Sequence, residues 1–182
     1  ECFLEEPLHI FAFPEIEKRK RCTRLVYELV VHHLIPGLKM EIIGAYTGGR
    51  LVGVLDYTPP NQNAEWSEEL EEAVGEMRRK ANDDAINIIG EFAQLSGQVK
   101  PGETHFYIND VAVLKEFRGK GIAKKLFEYV ENECLTHPEA VCTALDATSR
   151  KNVSLYEHWG YKVYKKIPFH DITCNKMKKQ IK

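Results

Sequence analysis

A single α/β domain is predicted by three features of this sequence. Strand-like runs alternate along the chain with runs of helical period. Glycine and proline clusters punctuate the junctions between them, with no internal repeat or low-complexity stretch. At 182 residues the chain suits one domain, 1–182, with a substantial core.

The elements follow in order. Pro14 suits a helical first turn, with Glu15 and Glu17 beside the positive helix end. Leu25, Val26, Leu29, Val30 and Leu34 supply its apolar stripe, and Pro36-Gly37 is read as its stop. Residues 40 to 46 and 51 to 58 read as a hairpin around Thr47-Gly48-Gly49-Arg50, ended by Pro59-Pro60. Residues 61 to 103 read as two helices. Leu70, Val74 and Met77 mark the first; Ile86, Ile89, Phe92, Ala93 and Leu95 mark the second. Phe106, Ile108, Val111, Ala112 and Val113 then form an apolar strand. From Ile122 the period turns helical, with Leu126, Phe127, Val130 and Cys134 on one face. A short strand, residues 141 to 147, precedes a helix capped by Gly160 and a further strand, residues 161 to 167.

Bulk properties exclude several classes. Charged residues make up 29% and the net charge is −2, so no global field favours nucleic acid or a membrane surface. Neither a transmembrane run nor a secretory pattern is expected. Five scattered cysteines without C-x-x-C point to reduced thiols and a cytoplasmic location. His32-His33 points to different parts of a helix, and no metal is expected. The basic run Lys18 to Arg24 reads as a solvated helix start.

The junction between residues 111 and 123 carries chemistry. Arg118, Gly119, Lys120, Gly121, Ile122 and Ala123 sit between a strand and a helix start, where backbone amides can converge on a phosphate. A P-loop lacks its Gly-Lys-Ser/Thr run here, and Lys124 stands where a dinucleotide fold wants its third glycine. What remains, Arg118-x-x-Gly121-x-Ala123, resembles the Q/R-x-x-G-x-G/A pattern of the GNAT acyl-CoA transferases. A second segment, Asn152 to Tyr161, resembles the N-x-x-x-Y-x-x-x-G-F/Y end-segment of the same superfamily, in the right order. The run from Leu51 to Pro60, with its Thr-Pro exit, and His105-Phe106-Tyr107 are similar to the puromycin N-acetyltransferase branch.

The resemblance implies a GNAT fold: a mixed central sheet flanked by helices, with residues 61 to 103 as an insert before the cofactor strand. It implies acetyl-CoA as co-substrate and direct acetyl transfer to a small-molecule amine by a monomer or homodimer. Protein N-terminal or lysine acetylation, or a silent acyl-CoA sensor, are the alternatives. The amides around Gly119 to Ala123, with Arg118, would hold the diphosphate. The strand Val111-Ala112-Val113 would line the thioester, with Val111 or Val113 N–H as the oxyanion donor. Asn152 would bind the pantetheine arm, besides suiting a helix N-terminus. Tyr156 would protonate the leaving thiolate. The base stays open. Many relatives carry Glu where this chain has Asn109, leaving Asp110, Tyr107, His105, a water relay, or an amine already neutral on arrival. Strand alternation sets Asp110 opposite Tyr107, unless a bulge intervenes. The insert is expected to wall the acceptor pocket, with Glu68, Glu69, Glu71 and Glu72 drawing cationic amines. The fold's usual first strand is either missing or supplied by residues 8 to 13.

Overall fold

Pro7 opens the first element because its fixed φ and missing N–H suit a helix start. In the computed structural model, which describes residues 2–62 and 64–182, α1 spans Pro7–Ala12. Leu8 and Ala12, one helical turn apart, are buried. This corrects the strand reading of residues 8 to 13: their apolar positions satisfy a helical period once Pro7 starts the turn. The helix α2 (Ile16–Leu29) runs into a π-helical turn, Val30–Leu34, and then into α3 (Ile35–Gly37). The widened turn lies just before Pro36, whose ring would clash with the carbonyl four residues back in a regular α-helix. Pro36-Gly37 therefore forms the last turn of the helical run rather than a stop before it.

Six strands make one mixed sheet. β1 (Glu41–Thr47) and β2 (Arg50–Thr58) form the expected hairpin, and β3 (His105–Val113) pairs antiparallel to β2. β4 (Cys142–Ala147) runs parallel to β3, and β6 (Ile172–Gln180) lies between β4 and β5 (Lys162–Phe169). The order is β1-β2-β3-β4-β6-β5. The sequence reading ended before β6, whose lysines obscure the alternating buried Ile172, Cys174 and Lys176.

The insert forms α4 (Glu68–Ala81) and α5 (Ile86–Gly97). After β3 come α6 (Ile122–Thr136) and, after β4, α7 (Arg150–His158). One face of the sheet packs on α6 and α7 through Leu55, Tyr57, Phe106, Ile108, Phe127, Val130, Tyr156 and Met177. Burying a ring such as Phe127 contributes about 1.5–3 kcal/mol. The opposite side meets the N-terminal helices and α5: Leu8 packs on Phe169 and Ile172, with Phe92 and Leu95 against them. α4 packs chiefly on α2, which makes it an outer layer over α5 and the N-terminal helices. Among the described residues, no helix is long and apolar enough to cross a membrane.

Two irregularities position the site. Asp56 pairs with Asp110 while Tyr57 pairs with Ile108, so Asn109 is an extra residue bulged out of β3. β3 and β4 pair only from His105/Cys142 to Ile108/Leu145, and beyond that rung the two parallel strands part into a fork.

Candidate active site

The fork exposes backbone. Leu114 N–H donates to Val52 O at 3.0 Å, so the alternating N–H and C=O groups of Val111 and Val113 point the other way, into the fork. Val113 O accepts there from Arg118 Nε at 3.0 Å and from Cys2 Sγ at 3.5 Å. Beyond the last rung no β4 residue pairs with Val111 or Val113. Their amides are thus available to a carbonyl oxygen entering the fork, whereas Ala112 belongs to the ladder with Val54.

At the mouth, Gly119 (φ 75°) and Gly121 (φ 77°) both take the left-handed conformation, which glycine adopts at no steric cost. Gly121 caps α6 without any side-chain bond, and its carbonyl accepts the first helical bond, from Lys125 N at 3.1 Å. The amides of Ile122, Ala123 and Lys124 therefore have no acceptor within the helix, and no acidic residue lies in its first turn. Arg118 and Lys120 are exposed beside them, Lys120 Nζ lying over the Phe117 ring at 4.8 Å. This arrangement fits a diphosphate: fixed donors, a helix dipole and adjacent positive charge.

α7 approaches from the α6 side. Ser149, rather than Asn152, caps it by accepting from Asn152 N at 3.4 Å. Asn152 thus lies in the first turn of α7, its backbone N–H held by the Ser149 hydroxyl and its side-chain carboxamide not needed for the cap. Tyr156 is 7% exposed, stacks on Phe127 at 5.3 Å and borders Trp159 and Tyr161. Burial, then the charges of Glu6 and Asp110, push its phenol well above the usual range. The phenol therefore stays protonated at neutral pH, within the packed cluster that Val111 borders.

From the other side come carboxyls. The Asn109 bulge resets alternation, so Asp110 shares a face with Tyr107 instead of lying opposite it, while Val111 returns to the core side with Leu55. Tyr27 of α2 donates to Asp110 Oδ1 at 2.9 Å. Asp56 lies across the ladder from Asp110, and Thr148 donates to Glu6 at the far arm of the fork. Burial raises Asp110 to about 6, with the Glu6 charge adding to it and the Tyr27 hydrogen bond opposing it. Burial and the Asp110 charge raise Asp56 to about 8.

His105 is elsewhere. It stands at the opposite end of β3 from Val111, about 20 Å away at the usual rise per strand residue, and its Nδ1 meets Glu103 O at 2.7 Å. Burial holds its imidazole below the ordinary range. Tyr107 OH accepts from Lys176 Nζ at 2.8 Å, and Lys176 pairs with Asp146 at 2.7 Å and reaches Ser96 of α5. That network ties α5 to the sheet. Glu68, Glu69, Glu71 and Glu72 sit on α4, whose partners are α2, α5 and the π-helical turn rather than the sheet. Sequence reasoning passed over Asp56, Tyr27 and Glu6. Only Asp56 carried a local signal, an isolated acid within an apolar strand.

A splayed parallel strand pair with an anion-binding helix start at its mouth defines an acyl-CoA-dependent acetyltransferase fold. A family model described as an acetyltransferase (GNAT) domain matches residues 54–181, and the chain belongs to that family. The fold is similar to that of a Corynebacterium glutamicum protein described as histone acetyltransferase HPA2 and related acetyltransferase. The identity is 21%, coverage is 98% of this chain and 84% of that one, and the TM-score is 0.69. A putative GNAT-family acetyltransferase from Desulfovibrio desulfuricans (13% identity, 93% and 83% covered, TM-score 0.52) is also similar. So is Chaetomium thermophilum Naa20, solved with a bisubstrate analogue (18% identity, 90% and 80% covered, TM-score 0.51). These likenesses establish the fold. No curated protein matches the sequence significantly.

Proposed function

We propose that this acetyltransferase acts on a primary amine of a small molecule, by direct attack on the thioester of acetyl-CoA. The observation that carries the reading is the approach of Tyr156 and Asp110 to one fork from opposite faces of the sheet. The resemblance of residues 51 to 60 and 105 to 107 to the puromycin N-acetyltransferase branch supports a small acceptor.

The chemistry then balances on this chain's residues. Amides of Ile122, Ala123 and Lys124, with Gly119, Lys120, Gly121 and Arg118 around them, hold the diphosphate, and Asn152 bonds the pantetheine arm. The ammonium of the acceptor loses one proton to Asp110. Its nitrogen attacks the carbonyl carbon, whose oxygen gains charge against the N–H of Val111 or Val113. The C–S bond breaks and sulfur takes the Tyr156 proton. The phenolate recovers a proton from the acylated nitrogen, and Asp110 releases its own to solvent.

Thiol release from acetyl-CoA, measured against a panel of small alkylamines and of peptides, tests this. Release with alkylamines is expected. Release with peptides alone would make the acceptor a protein, and binding of acetyl-CoA without release on any amine would make the chain a sensor.

A further inference from the structure

Asp56 has no part in the scheme above. It faces Asp110 across the β2–β3 ladder, is 6% exposed, and its Oδ2 has no hydrogen-bond partner. Asp110 is half-buried beside it. The groups facing the pair are Tyr27 from α2, Glu6 from the turn before α1, Tyr156 from α7 and Asn109 from the bulge. None is a cation. No Lys or Arg ion-pairs with Asp56, Asp110 or Glu6 among the described residues.

The contrast within one sheet is informative. On the same face, Asp146 has the buried Lys176 as its counter-charge at 2.7 Å. The Asp56–Asp110 pair has nothing comparable, although uncompensated buried carboxylates are costly. A counter-charge that arrives and leaves with each turnover resolves this.

We propose that Asp56 and Asp110 together form an ammonium-binding subsite, so that the acceptor is a strongly basic aliphatic amine that enters protonated. This rests on the acetyltransferase reading and narrows it. Asp110 receives the reacting proton, and Asp56 selects the charged acceptor through its unpaired oxygen. A lysine-like alkylammonium, with a pKa near 10.4, stays charged throughout the neutral range, whereas a peptide α-amine, at about 7.7–8.0, loses its charge as pH rises past 8 and is the poorer ligand there. A bound cation favours the ionised carboxyls. Binding therefore displaces a proton from Asp56, and affinity for the alkylammonium rises as pH rises from about 6 to about 8.

The test compares n-propylamine with 2,2,2-trifluoroethylamine, similar in size but largely uncharged at neutral pH, by calorimetric binding to the CoA-loaded protein. Asp56→Asn should weaken n-propylamine about tenfold or more, the scale of one lost charged hydrogen bond. It should leave trifluoroethylamine and CoA binding unchanged and flatten the pH dependence. Equal loss for both amines, or no loss for either, overturns the subsite. Should the variant fold poorly, thermal protection of the unmodified protein at pH 8 decides. Stronger protection by n-propylamine supports the proposal, and equal protection by both amines overturns it. Failure of thiol release on every amine would sink the catalytic reading alone, because these binding measurements do not need turnover.

Discussion

At Asp110 one surplus residue decides the chemistry. Regular alternation from Phe106 would bury residue 110 with Phe106 and Ile108 under α6; the extra Asn109 turns it to the Tyr107 side, toward Tyr27. Asp110 must be ionised to accept a proton, so turnover is expected to fall below about pH 6. The Tyr27 hydrogen bond favours the carboxylate, and Tyr27→Phe should move this acid limb of kcat/KM to higher pH. A limb that stays put would remove Asp110 from the role of base. Tyr156→Phe should lower kcat by something like 10²–10⁴ with CoA binding nearly unchanged. Steady-state kinetics that show a raised KM for acetyl-CoA at constant kcat would make Tyr156 a binding group instead. Asp110 and Tyr156 were both visible in the sequence. The face Asp110 occupies was not, because a bulge is a mismatch between two strands and leaves no mark on one of them.

Among the elements, the start of α6 was the most legible. Gly119 and Gly121 sit where the backbone needs positive φ, and a Cβ at either position would meet nothing within 4 Å. Steric room is therefore ample, and only conformation and charge are at stake. Gly121→Ala should cost roughly 1–2 kcal/mol of stability and retain CoA binding. Gly121→Asp should abolish the thermal shift produced by CoA, by setting a carboxylate among the helix-start amides. Persistence of the shift in Gly121→Asp would contradict the diphosphate assignment. NAD and ATP at equal concentration should protect the unmodified protein weakly or not at all. The start of the chain was less legible. Residues 8 to 13 are apolar enough for a strand, and Pro7 alone tips them into α1. At the start of α7 both Ser149 and Asn152 suit a cap by residue type, and only the observed bond gives that place to Ser149.

In the molecule as a whole, one buried cluster joins parts far apart in sequence. Lys176 of β6, 1% exposed, ties Asp146 of β4, Tyr107 of β3 and Ser96 of α5. Removing one partner of a buried pair strands the other, so Lys176→Met should destabilise the fold by about 3–5 kcal/mol. Urea unfolding measures it, and Lys176→Met/Asp146→Asn should recover part of the loss. A loss below about 1 kcal/mol would place the cluster among weak, surface-like pairs. The sheet's last strand escaped the sequence reading because Lys176, Lys178 and Lys179 look solvated. Charge inside a sheet is legible only once its partner is known. The insert's two helices were found from their apolar faces, whereas their stacking on the N-terminal helices depends on surfaces that no single segment displays.

The cysteines give the fold an internal chemical gauge. Cys22, Cys134, Cys142 and Cys174 are buried, and burial pushes each thiol up, Cys142 to about 11 and Cys174 to about 12. Thiolates are the reactive species, so these four resist alkylation for as long as the sheet and its helices stay closed. Cys2, half-buried, is the exception. A thiol-counting reagent thus registers Cys2 first and the other four only as molecules open, which turns a colorimetric titration into a clock for unfolding.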